Sequence, residues 1–187
     1  MQAVAVRSMR IFVCAAVATV VVAGCGNNRV LVDVDVRSFL DPSDLVNTYN
    51  APPFIPASTR IDPIQVNLVE TFEDFGAADA ATLDIAIDYV NNTGTGTGDF
   101  TLYLGDDAST LFSTAPVATL NVNLQPSTTT TGTVRIQADQ RVLDLFTSQR
   151  LFLGADLAWS PNGVEPLQGR CVITVLTARV ASRLSIF

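Results

Sequence analysis

The chain has 187 residues, 48% of them hydrophobic, and sets 11 Lys plus Arg against 18 Asp plus Glu for a net charge of −7. Every cation is an arginine and histidine is absent, which excludes histidine-based general catalysis, histidine-ligated metals and a Ser–Lys nucleophile pair. The acidic balance argues against nucleic acid, whose phosphates demand basic groups, and against electrostatic docking to anionic lipid.

From the N-terminus, Arg7 and Arg10 precede an apolar run from Ile11 to Ala23 whose one polar member is Thr19. The run has 13 residues, short of the roughly 20 that a spanning helix needs. The small pair Ala23-Gly24 follows, and then Cys25. A positive start, a short apolar run and a small-residue exit are the parts of a secretory signal. The set Val22, Ala23, Gly24 and Cys25 resembles the lipobox of bacterial lipoproteins. That resemblance implies that residues 1–24 form a signal peptide that is removed. It also implies that Cys25 becomes the N-terminus, joined to diacylglycerol and carrying acyl chains such as palmitate. Met9-Arg10 with the run behind it also makes a complete signal, so Met1 and Met9 both stand as starts. Gly26 takes the place of the Asp that marks inner-membrane retention in enteric bacteria. The expected address is the cell envelope, on the periplasmic face of the outer membrane in a Gram-negative organism.

Cleavage leaves 163 residues, enough for one domain with a sizeable core, and nine arginines against 18 acids, a charge of −9. The membrane partner is therefore reached through acyl chains, two or more of which hold firmly. Residues 25–29 form a lipidated tether of about 15 Å at full extension. A domain over 30–187 then sits close to the headgroups. With Cys25 acylated, Cys171 has no intramolecular partner. It opens the run Cys171 to Leu176 and reads as a small buried hydrophobe.

Alternation sets in at residue 30. Val30, Val32, Val34 and Val36 share one face against Asp33, Asp35 and Arg37, the period of a half-buried strand. The segment Asp41 to Asp62 is too rich in proline for a central strand. It reads as a long crossover loop packed across one end of the fold by Leu45, Tyr49, Phe54 and Ile55. Strand periodicity returns at Ile64–Leu68, Leu83–Tyr89, Phe100–Leu104, Leu120–Leu124 and Val134–Ile136. The runs Leu151–Trp159 and Cys171–Leu184 are apolar on both faces in places, as in central strands. Asn91 to Gly98 reads as a flexible hairpin loop. Gln125-Pro126 and Ser160-Pro161-Asn162-Gly163 read as further turns. Asp139 caps a short helix over Gln140 to Thr147 that buries Val142, Leu143 and Phe146.

About eight strands without alternating long helices predict an all-β fold: an antiparallel, immunoglobulin-like β-sandwich with one short helix. The stretch Thr82 to Trp159 resembles immunoglobulin-like accessory modules in its order of strands and turns.

Chemistry is sparse. Asp106-Asp107, with Asp99 nearby, offers carboxylate oxygens for calcium, but the spacing matches no EF-hand loop and reads as a solvated turn. Glu70, Glu73 and Asp74 form the densest acidic group and lack the cleft that glycoside chemistry requires. There is no Gly-x-Ser-x-Gly elbow, and Gly94 to Gly98 lacks the following helix of a phosphate loop. The alternation before Phe187 resembles a closing outer-membrane strand, but Arg179 and Arg183 fall on the face that lipid would cover. We expect no catalytic residues, no metal and no cofactor. The expected function is a membrane-anchored structural or protein-interaction module with an envelope protein as partner. A carrier or sensor of a small apolar ligand, with Tyr49 to Ile55 as a lid, is the alternative.

Overall fold

The period-two segments pack as two antiparallel sheets in a computed structural model that describes residues 19–21, 29–66, 75–147 and 151–184. Among these residues the strands are β1 (Thr19–Val21), β2 (Arg29–Asp35), β3 (Val46–Ala51), β4 (Ala57–Val66), β5 (Phe75–Thr93), β6 (Gly96–Gly105), β7 (Ala118–Leu124), β8 (Thr128–Gln137), β9 (Leu151–Pro161) and β10 (Leu167–Leu184). The α-helices are α1 (Pro42–Leu45) and α2 (Gln140–Thr147). One sheet has the order β1-β2-β10-β5-β8, with β3 also on β10, and the other has β4-β9-β6-β7. The predicted antiparallel sandwich is therefore the observed architecture, with two more strands and one more helix than the periodicity announces.

The core follows from the alternation. Leu83, Ile85, Ile87 and Tyr89 of β5 face Phe100 and Leu102 of β6 and Leu157 and Trp159 of β9, and all are at most 2% exposed. Burying a side chain of this size contributes about 1.5–3 kcal/mol, so this layer dominates the favourable side of folding. Cys171 lies in it at 0% exposure. Burial pushes its thiol pKa up to about 12, because a thiolate there would lose its hydration. The Asp139 carboxylate accepts from Val142 N at 2.9 Å, and Val142, Leu143 and Phe146 of α2 are buried as anticipated.

Two expectations need correction. Asp41 to Asp62 is no single crossover loop. Pro42 opens α1 at a position where its missing N–H costs nothing, with Asp41 capping Ser43 N at 2.9 Å. Then β3 pairs with β10 from Val46↔Val172 to Ala51↔Leu167. Tyr49 is buried at 4%, but Phe54 and Ile55 are 66% and 59% exposed. Asn91 to Gly98 is not a hairpin either. β5 and β6 belong to different sheets, and only Gly94 and Thr95 lie between them. Gly96 and Gly98 are strand residues chosen for close packing. A Cβ on Gly98 would lie 2.9 Å from the Tyr89 ring, and one on Gly96 would lie 2.5 Å from Ser160 O.

β10 organises the larger sheet. One edge carries β3 along its first third and β2 toward its end, while β5 runs along the other. Leu167 and Arg183 are 16 positions apart, about 50 Å at strand rise. Arg29, the first residue of β2, pairs with Arg183 at one end. The β3–β4 and β9–β10 connections lie at the other.

Candidate interaction site

The far end is built by two loops that cross the same gap between the sheets. The pair Ala51↔Leu167 bounds that gap in one sheet, and Ala57↔Trp159 bounds it in the other. Residues 52–56 cross it from β3 to β4, and residues 162–166 cross it back from β9 to β10. Phe54, Ile55 and Val164 stand out on these loops at 66%, 59% and 83% exposure. Single exposed apolar residues are ordinary, but several together mark contact surfaces. Glu165 carries the one formal charge in the two loops.

The local backbone holds Phe54 outward. Ile55 N donates to Pro52 O at 3.1 Å, closing a four-residue turn with Pro53 second and Phe54 third. Phe54 has φ of 62°, the left-handed region where a turn of this kind normally places glycine. A bulky residue there costs about 1–2 kcal/mol. Pro52, Pro53 and Pro56 remove much of the freedom by which the loop would relax.

The loops beside it are pinned. Asn162 N donates to Thr95 O at 3.0 Å, and the Thr95 hydroxyl donates to Asn162 Oδ1 at 2.7 Å. The Thr93 hydroxyl donates to Pro166 O at 2.9 Å. Beneath them Asn91, 1% exposed, donates from Nδ2 to Gly94 O at 2.9 Å and to Gln125 O at 3.0 Å. Tyr49 stacks on Trp159 with ring centroids 5.1 Å apart and planes 22° apart. This ties β3 to the opposite sheet just below the tip. Tyr49 is therefore a core residue and not part of a lid.

The outer sheet faces are charge-paired. Arg179 grips Asp33 at 2.7 and 2.9 Å, Arg135 grips Asp84 in the same two-pronged way, and Arg60 holds Asp156 at 2.6 and 3.0 Å. The Arg60 guanidinium also lies 3.9 Å over the Phe112 ring. An open depression of about 470 Å3 lies over Ala86, walled by Asp84, Arg135, Thr133 and Val175. It lies on the outside of the sheet with an ion pair in its wall, so it does not enclose an apolar ligand.

The residues singled out by sequence do not converge. Val22, Ala23, Gly24 and Cys25 lie outside the described residues, as do Glu70, Glu73 and Asp74. Asp99 accepts from Asn121 Nδ2 at 2.6 Å. Asp107 closes a local turn, accepting from Ser109 N and its hydroxyl at 2.8 Å. Asp99 and Asp106 are seven residues apart along β6 and its end, about 23 Å at strand rise, too far to share an ion. Among the described residues no three acidic or cysteine side chains cluster as metal ligands, and no helix is long and apolar enough to cross a membrane. The tip escaped the sequence reading because Phe54 and Ile55 look like core residues; the diproline before them was its available signal.

No protein-family model and no curated protein matches the chain. Among solved structures it is similar to infectious bursal disease virus, Gx strain, with 11% identity over 75% of this chain and a TM-score of 0.37. The chain spans 32% of that viral chain. It is similar to a carbohydrate-binding module specific for non-crystalline cellulose, with 10% identity, 85% of this chain and 78% of the module covered, and a TM-score of 0.41. It is also similar to broad bean stain virus, with 11% identity, 74% of this chain and 86% of that chain covered, and a TM-score of 0.30.

Proposed function

We propose that this chain is a membrane-anchored, non-enzymatic lipoprotein of the cell envelope that binds another envelope protein through the tip formed by residues 52–56 and 162–166. The observation that carries the reading is Phe54, held exposed at φ 62° by a turn that glycine would form without strain. Strain that persists in the native state marks a position kept for its side chain's task. Phe54, Ile55 and Val164 give the tip an apolar centre, and Glu165 gives it an acidic rim. Such a surface fits an apolar pocket bordered by basic groups. The missing histidine and lysine, and the absence of clustered acidic or cysteine side chains among the described residues, support a binding role over a catalytic one. The lipobox resemblance at Cys25 supplies the anchor, and β10 spans about 50 Å between the tip and the end of the sheet where β2 begins at Arg29.

Two experiments test the reading. Metabolic labelling with an alkyne fatty acid should mark the wild-type chain and leave Cys25→Ser unlabelled; label on both would sink the anchor. A photo-crosslinking residue at position 164 should capture one discrete protein on intact cells. Phe54→Gly should abolish that capture while leaving stability within about 1 kcal/mol, because relief of strain offsets the added freedom of the unfolded chain. Undiminished capture by a folded Phe54→Gly chain would exclude the tip.

A further inference from the structure

We propose that removal of residues 1–24 opens the outer edge of β2 and that a second copy of this chain closes it, through an antiparallel β2–β2 pair centred on Val32. The inference rests on the lipobox reading. In the full chain that edge is occupied: β1 lies antiparallel on it with Thr19 opposite Asp33, Val20 opposite Val32 and Val21 opposite Leu31. Cleavage before Cys25 takes β1 away. Gly26, Asn27 and Asn28 are too few to turn back and replace it. The mature sheet then ends in a strand with unpaired N–H and C=O groups, the situation that invites pairing with another chain.

The sequence of β2 selects its own copy as occupant. In an antiparallel pair, directly opposite residues share a face, so the two-fold axis must pass through a residue and not between two. Val32 is the one centre that uses all seven residues of Arg29–Asp35. It sets Val32 against the partner's Val32, so that the buried valines Val32 and Val34 of the two copies continue one core side. On the solvent side Leu31, 40% exposed, meets the partner's Asp33, and Arg29 meets the partner's Asp35. Moving the axis to Asp33 sets two aspartates against each other, which is destabilising. Moving it to Leu31 shortens the ladder to five residues. Asp33, which would otherwise guard the edge, is already neutralised by Arg179 at 2.7 Å.

The anchors fit this symmetry. A two-fold axis normal to the sheet places both copies of Cys25 at one height, so both sets of acyl chains reach the same leaflet while the tips point in opposite directions along the membrane.

The test is register-specific disulfide formation. Differently tagged Leu31→Cys and Asp33→Cys chains are co-expressed, and the N-terminus of the processed product is read by mass. Directly opposite residues lie about 4.5–5.5 Å apart at Cα, within disulfide range. Oxidation should link the two tags covalently, whereas Leu31→Cys alone should give at least tenfold less dimer because its two copies are offset along the strands. Cys171 is buried and does not compete. A Cys25→Ala chain that keeps residues 19–21 should give no link. A processed, acylated chain that remains unlinked and monomeric in detergent overturns the pairing and leaves the anchor standing. Linkage to a different protein overturns it equally. A product that still contains residues 19–21 overturns both.

Discussion

Tyr49 reaches Asn91 across a glycine. Both residues stand in register with Gly169, Tyr49 on one side of β10 and Asn91 on the other, and the Tyr49 hydroxyl donates to Asn91 Oδ1 at 3.2 Å. A side chain at position 169 would block that path, since a Cβ there would lie 2.5 Å from Tyr49 Oη and overlap Val90 O. β3 and β5 are thereby joined by side chains across β10, which pairs with both through its backbone, directly beneath the tip.

Gly169→Ala should destabilise the domain by about 3 kcal/mol, the usual scale for forcing atoms into a packed interior. Urea denaturation measures it. A change under about 0.5 kcal/mol would show that β10 moves aside without cost.

Asn91→Ala should cost more than Tyr49→Phe. The first leaves Gly94 O and Gln125 O without their side-chain donor, at about 1–3 kcal/mol for each buried group. The second removes one bond, about 1 kcal/mol, and keeps the stacking on Trp159. Equal losses in paired unfolding curves would contradict the three-way role of Asn91.

Cys171 should resist alkylation in the folded protein at pH 8. Its thiol is buried and its pKa is pushed up to about 12, so the reactive thiolate is scarce and out of reach. Iodoacetamide should label it only at the rate of unfolding, and mass spectrometry follows that rate. Rapid labelling under native conditions would overturn its placement in the core.

Acid should weaken the fold in a definite direction. Hydrogen bonds from Arg179 and Arg135 hold Asp33 and Asp84 below the usual carboxylate range. A carboxylate with a depressed folded pKa stabilises above its unfolded pKa of about 3.9, and that contribution is lost as pH falls through the folded value. The melting temperature should stay level from pH 7 to 5 and drop below about pH 4. Both pairs are solvent-exposed, so each contributes little. The Asp33→Asn, Asp84→Asn double variant should nonetheless show a shallower drop. An identical slope would mean that these pairs are inert.

Much of the fold was legible because a half-buried strand prints a period of two. Leu31 to Val36, Leu83 to Tyr89 and Leu120 to Leu124 follow that rule residue by residue. β3 did not show itself because prolines crowd both its flanks, and its pairing with β10 is a long-range contact that local composition does not encode. The turn at Gly94 hides its topology for a related reason. Turn chemistry reports a change of direction, not whether the next strand joins the same sheet, and here β3, β5, β7 and β9 each lead into a strand of the opposite sheet. Phe54 was legible as apolar but not as exposed, since exposure depends on a single backbone angle.

The length of β10 bears on how the molecule would carry load. A pull between the tip and Arg29, the first residue of β2, would run nearly parallel to this strand, entering through β3 at one end and leaving through β2 at the other. The hydrogen bonds that tie β10 to β2, β3 and β5 lie across that direction. They would therefore have to slip together and could not peel one at a time. The sheet is arranged as a shear joint, which under the proposed function would keep tip and anchor at a set spacing under load.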